Sequence, residues 1–393
     1  MAFAMATLKI NKHFDQYLLG GKLRTKGFER FRYVFSAFSR ATGQERKFFI
    51  ELYIVNPALS PKIAVIGQKS RLAVSESDLQ YMLAGTSSAA NASDEIAVLP
   101  SYVLVKAGSF GKSGKQLNKF HASSQLSFIK NSETFKVGDC SFSSKALTGS
   151  ITVLQQELRI KPELLCNDGM MSWDLKFERV IGSNPLYNRK KTVWMPSGVK
   201  ALFSGSVYLD NQEFVVLPKS SNGYIDKSWG EEPNSPYFHL SSSKMTSIIS
   251  GKALLNSGFA LEGEFGGKLC ATLILEGEKF SVENRGILKK DAIIHDCSQM
   301  EGGESGEKVH WMVSIHKGKY VIDLDIYCPS SEMIVRDYEM PHGQRCLLKI
   351  LSGGAGTGEI RFYKKTGKTL ELIEHANIGD TICEFGQMEE VGK

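Results

Sequence analysis

Eight residues near the middle of the chain carry its densest chemistry: Gly223-Tyr224-Ile225-Asp226-Lys227-Ser228-Trp229-Gly230. They hold an acid, a base and two aromatic side chains with hydrogen-bonding tips. Around them the chain reads as strand after strand, and polar groups concentrated in an apolar β framework are how a ligand pocket looks in sequence. Side chains alternate along a strand, so Lys227 stands on the face opposite Asp226. A structural crossing between two units, anchored by Trp229 and carrying an energetically neutral Asp-Lys pair, fits the same residues. A second acid, Glu51, shares a strand face with Phe49, Tyr53 and Val55. That pattern fits a barrel lumen, and it fits equally a barrel exterior covered by a second domain.

Asp323 and Asp325 also share a face, with Cα atoms roughly 6.5 Å apart. The stripe Tyr320, Ile322, Leu324 and Ile326 alternates with them, which assigns the two acids to the solvent side. His310 and His316 lie roughly 20 Å apart along one strand, too far for a shared metal. No metal site, no Ser-His-Asp arrangement and no cofactor motif emerges from the spacing. Gly353-Gly354-Ala355-Gly356-Thr357-Gly358 lacks the Lys-Ser/Thr of a phosphate loop and precedes a strand pattern, so it reads as a glycine-rich turn.

The elements that must position these residues are strands. Period-two alternation runs through 30–38, 47–55, 101–106, 124–130, 173–180, 199–209, 269–276, 309–316, 320–327, 346–351 and 358–364, punctuated by Gly, Ser and Asn clusters. One helix is predicted over 75–84, with Ser75 as cap and Asp78 completing a capping box. Strands divide about equally on either side of residue 212, more than one sandwich needs. The expected architecture is all-β: two tandem antiparallel barrels, 1–212 and 213–393, with few short helices.

The chain has 393 residues, 42% hydrophobic and 23% charged, an ordinary globular composition. Its net charge of +6 is spread without a basic block, which reads as a solvated, mixed-charge surface, argues against nucleic acid and leaves contact with an anionic membrane surface as the alternative. Seven scattered cysteines, none in a C-x-x-C pair, predict free thiols in a reducing compartment. With no signal-peptide pattern and no apolar run of membrane-spanning length, the expected location is the cytoplasm.

The central motif is similar to the Tyr-x-(Glu/Asp)-Lys-Asn-Trp-Gly segment of tocopherol cyclase-like proteins. Phe28-Glu29-Arg30-Phe31-Arg32-Tyr33, leading into Phe48–Tyr53, resembles that family's Phe-Glu-Gly-Trp-Tyr-Phe-Lys segment and following strand. Gly258–Lys279 resembles its strand pair after the central motif. The resemblance implies a pair of lipocalin-like barrels, with carotenoid hydratases of the hydroxyneurosporene synthase type as distant relatives. It implies binding or cyclisation of a hydrophobic ligand (a prenyl quinol, carotenoid or lipid-like molecule), with a non-catalytic lipocalin-like carrier as the alternative. Chromanol formation needs a proton for an alkene and protection of a carbocation. On this reading Asp226, its pKa raised by burial, is the acid, with Glu51 second. Tyr224, Trp229 and Tyr237 form aromatic walls, and Lys227, His239, Arg30 and Tyr53 complete the substrate-binding set. The chain departs from the family where Arg30-Phe31 replaces Gly-Trp, where Ser228 replaces Asn, and where Tyr237-Phe238-His239 replaces a Trp-rich segment.

Overall fold

The computed structural model describes residues 14–67, 98–187, 191–282, 291–301, 306–344 and 346–390. The helix expected over 75–84 lies outside them. The described residues are predominantly strand, and the expected all-β architecture holds, with two barrel-like sheets. Among the described residues helix is confined to Gln155–Ile160 and a few single 3₁₀ turns.

Among the described residues the first sheet has thirteen strands, from Phe28–Ser39 to Gly223–Gly230, and the second has eleven, from Tyr237–Ser242 to Thr369–Glu390. The change of sheet therefore falls between Gly230 and Tyr237, later than the expected division at 212. Residue 212 instead sits in a hairpin: Leu209 pairs with Gln212 across the two-residue turn Asp210-Asn211, and Asp210 takes a positive φ of 53°. A turn that tight returns the chain to the strand it has just left, so it cannot be a linker.

Each sheet curls on itself. In the second, the edge strand Glu278–Val282 comes against Lys308–Lys317, and the Phe280 and Tyr320 rings meet at 4.9 Å. In the first, Lys115–His121 comes against Ala146–Val153. The edge of Lys115–His121 meets the segment 164–167: Gln116 N donates to Asn167 Oδ1, Asn167 N donates to Gln116 O, and the Asn118 side chain donates to Leu164 O. Such closure removes the unpaired strand edges that an open sheet exposes.

Alternation fills both interiors with side chains. Phe31, Tyr33, Phe35, Ile50, Leu52 and Phe203 pack inside the first barrel; Phe238, Leu240, Phe259, Trp311 and Phe362 pack inside the second. The barrel lumens are thus apolar cores. The opposite faces of the strands nearest the junction are buried too, so Phe28–Ser39, Gly223–Gly230 and Tyr237–Ser242 are covered on both sides. One face meets its own barrel's core and the other meets the second barrel.

The glycine-rich stretch 353–358 is a strand segment where a turn was expected. It lies within Cys346–Thr366, which pairs with Thr369–Glu390 through register shifts at Gly353, Gly356 and Gly358. The glycines serve close approach: a Cβ at Gly356 would stand 2.3 Å from Cys383 Sγ, and one at Gly354 2.6 Å from Lys47 Cδ of the first barrel. Gly356→Ala should lower stability by about 1–3 kcal/mol through overpacking. Gly20→Ala, with nothing within 4 Å of the added Cβ, should change it by about 0.5 kcal/mol or less. Urea unfolding midpoints of the two variants check this, and equal midpoints would remove the close-approach role of Gly356.

Candidate binding site at the barrel junction

Strand register builds the junction as two opposed rows. In the first barrel Arg32 lies directly opposite Asp226 on one side and Glu51 on the other, and Glu51 opposite Lys106. Four neighbouring strands thus present Asp226, Arg32, Glu51 and Lys106 side by side, with charge alternating in sign. In the second barrel His239 lies opposite Glu262 and Glu384, and Glu384 opposite Ser352. Arg336 on the strand Met333–Glu339 reaches into this second row.

The rows interlock through arginine. Arg32 donates from Nε to Asp226 Oδ1 at 3.0 Å, makes a second bond to Oδ2, and crosses to Glu384. Arg336 crosses in the other direction to Glu51 and also binds Glu384, whose carboxylate accepts from Ser352 as well. Arg30 reaches Glu262 at 3.2 Å. Asp226 accepts further bonds from Trp194 Nε1 at 3.0 Å and from the Tyr224 hydroxyl at 2.9 Å. Arg32, Glu51, Lys106, Asp226, Arg336 and Glu384 are all 0% exposed.

This geometry sets the charge states. Burial pushes the Asp226 carboxyl up, but Arg32 and Arg30 outweigh it and hold the group below the usual carboxylate range. Glu384 is likewise held low: burial raises it, and Arg32 and Arg336 override. His239 is pushed down by burial and by Arg32, so its imidazole is neutral near pH 7. Burial lowers the Lys106 amine to about 8, against the pull of Glu51 and Asp337. The raised pKa expected for Asp226 is thus reversed, because the acid sits in a two-point guanidinium clamp and not in an apolar pocket.

Seven of the nine expected site residues converge here: Asp226, Glu51, Tyr224, Tyr237, His239, Arg30 and Tyr53. Glu51 binds Arg336 and Tyr338, and Tyr53 donates to Glu339 O at 2.8 Å. The other two do not join them. Lys227 and Trp229 point into the first barrel, where the Lys227 amine meets Glu29 at 2.6 Å and lies 4.4 Å from the centre of the Phe31 ring. Trp229 packs against the same core and is no wall of the junction.

The sequence reading missed Arg32, Lys106, Trp194, Glu262, Arg336, Tyr338 and Glu384. The available signal was a single charge embedded in an apolar strand, as in Ile382-Cys383-Glu384-Phe385. Asp226, His239 and Glu262 also bring potential metal-ligand atoms within 4.8 Å of one another. Arg32 Nη2 already lies among them, 3.3 Å from His239 Nδ1 and 3.6 Å from Glu262. A metal there would have to displace a guanidinium.

Beside this layer a cleft is lined by Phe28, Arg30, Tyr53 and Ser228 from the first barrel and by Tyr237, Glu262, Tyr338 and Leu348 from the second. Pro233 and Asn234 of the connecting segment also border it. It has room for roughly one water molecule.

No family model matches the chain, and no curated protein matches it in sequence. Solved structures of similar course include an AttH-like protein from Nitrosomonas europaea, at 9% identity and a TM-score of 0.43 over 95% of this chain and 97% of that one. Kievitone hydratase from Nectria haematococca is another, at 10% identity and 0.44 over 97% and 94%. Likenesses this faint bear on neither the site nor its chemistry. Among the described residues no helix is long and apolar enough to cross a membrane.

Two predictions follow from the charge states. Asp226 and Glu384 have folded pKa values below their unfolded ones, so their contribution to stability is present above about pH 4–4.5 and is lost as pH falls below it. Urea midpoints should hold from pH 7 to about 5 and drop steeply below about 4, and Glu384→Gln should flatten that drop. An acid slope unchanged in this variant would deny Glu384 its role. The Lys227–Glu29 pair is different: burial lowers the lysine and raises the acid despite their mutual attraction. Lys227→Met alone should cost about 3–5 kcal/mol by stranding Glu29, while Lys227→Met with Glu29→Leu should recover most of it. A double mutant as unstable as the single one would show that the pair is a net stabiliser.

Proposed function

We propose that the protein is a tocopherol cyclase-like, two-barrel binder of a hydrophobic prenyl or lipid-like molecule, held by its polar head in the cleft at the barrel junction. The observation that carries this reading is the lining of that cleft: the rings of Phe28, Tyr53, Tyr237 and Tyr338 around Arg30, Glu262 and Ser228. Apolar walls with a few convergent polar groups are the usual composition of a small-molecule site. The packed cores of both barrels turn the reading away from a lumen pocket.

The carrier reading is preferred to cyclisation on one observation. Chromanol formation asks Asp226 for a proton, and a carboxylate clamped by Arg32 and held below its usual range has none to give near neutral pH. Glu51, the second choice as acid, is engaged by Arg336 and Tyr338. A cytoplasmic location fits the seven thiols, which are free of disulfides.

Equilibrium dialysis with a phytyl hydroquinone, followed by chromatography of the recovered ligand, tests both parts. Saturable binding with unaltered ligand is expected. Pro233→Trp, at the partly exposed edge of the cleft, should weaken it by about tenfold or more, the loss of roughly 1.4 kcal/mol. No saturable uptake would end the binding reading. Chromanol above a heat-killed control would restore the cyclase.

A further inference from the structure

Arg30 is the one arginine of the junction among the residues that line the cleft. All three of its hydrogen bonds leave from a single nitrogen: Nη2 donates to Ser228 Oγ, to the Tyr237 hydroxyl and to Glu262, at 3.5, 3.1 and 3.2 Å. Its Nε is buried and has no hydrogen-bond partner among the described residues. A buried N–H left unpaired is costly, and a donor beside a cleft invites an acceptor.

The neighbouring polar groups have spent their protons. Ser228 and Tyr237 donate to Glu262, Tyr338 to Glu51, and Tyr53 to Glu339 O. Charge narrows the choice of acceptor. The cations Arg30, Arg32, Arg336 and Lys106 face Glu51, Asp226, Glu262 and Glu384, and Glu339 is buried nearby. The acids already match or outnumber the cations, so a bound carboxylate would add an uncompensated charge to a layer shielded from solvent. An ammonium head has no vacancy either, because the Arg30 guanidinium lies 5.4 Å from the Tyr237 ring centre and 5.8 Å from that of Tyr338, where a cation would sit.

We infer that Arg30 makes the cleft selective for a neutral carbonyl oxygen, the quinone or ketone head of an apolar molecule. The oxygen takes the place of roughly one water and accepts from the N–H groups of the Arg30 guanidinium that Nη2 leaves unspent. This rests on the binding reading above and deepens it. Arg30 acts as a specificity-determining contact.

Calorimetric titration at pH 8 with 2-dodecanone, a decyl-substituted benzoquinone, dodecanoic acid and dodecane tests it. The ketone and quinone should bind at least about tenfold more tightly than the acid or the alkane, the gain of one buried hydrogen bond. Arg30→Lys keeps a charge for Glu262 but lacks the guanidinium's unspent donors, and should bring ketone affinity down by about tenfold, to that of dodecane for the same variant. Should Arg30→Lys fold poorly, Arg30→Met with Glu262→Met removes donor and charge together and is expected to abolish the same preference. Saturable binding of all four probes with no carbonyl preference, or a preference that survives both variants, would overturn the role of Arg30 and leave the binding site standing. Binding of none would overturn both.

Discussion

The structure depends on a layer of ion pairs placed where two barrels would otherwise meet through apolar surfaces. Each barrel sends an arginine across: Arg32 of the first reaches Glu384, and Arg336 of the second reaches Glu51. Glu384 is bound by both arginines and by Ser352. Buried ion pairs of this kind are a poor source of net stability, because desolvation cancels most of their attraction. They are effective at specifying one arrangement, since any other docking of the barrels strands several charges at once. In this layer the gain is registry, with affinity left to the apolar residues at its margins, Phe49, Phe110, Ala260 and Ile382 among them.

Strand periodicity is what makes the layer constructible. A strand buried on both faces usually reads as one unbroken apolar run. Here polar residues interrupt the runs, at alternate positions on the junction face and, on the inner face, at Lys227 and Glu29. Ile225, Lys227 and Trp229 turn inward, while Tyr224, Asp226 and Ser228 turn to the junction. A one-residue slip of that strand would send Asp226 into the first core and Ile225 into the charged layer. Register and ion pairing thus enforce one another, and the pair Lys227–Glu29 enforces the same register from the inner face.

Legibility in the sequence followed the same division. Alternation is local, so the strands, their faces and the solvent side of Asp323 and Asp325 could be read directly; Asp325 meets His310 at 2.6 Å on that outer face. The sheet boundary could not be read from the strand count, although Asp210-Asn211 between two alternating stretches is a hairpin signal that points away from 212. Within the central motif, alternation separates Lys227 from Asp226 and by the same rule puts Trp229 on the Lys227 face, away from the junction. For Glu51 two alternatives stood open, and the covered exterior is the one that holds. The partners of these groups lie far away along the chain: Arg336 is 285 residues from Glu51, and Arg32 is 194 from Asp226. No local pattern links them.

Partner identity also decides chemistry, which is why motif content alone misled about Asp226. An acid in a greasy barrel rises in pKa and donates protons; an acid two bonds deep in a guanidinium falls and does not. Both environments satisfy the same eight-residue motif. What separates them is Arg32, two positions beyond Arg30 on the same strand face and directly opposite Asp226 in register. Arg30 itself is held differently from Arg32. It spends one nitrogen on Glu262 and its neighbours, leaves Nε without a partner among the described residues, and lines the cleft at this junction. The interior of the layer is saturated and therefore structural. Its rim retains unspent donors on the Arg30 guanidinium, and recognition of a ligand can begin there without unlocking the barrels.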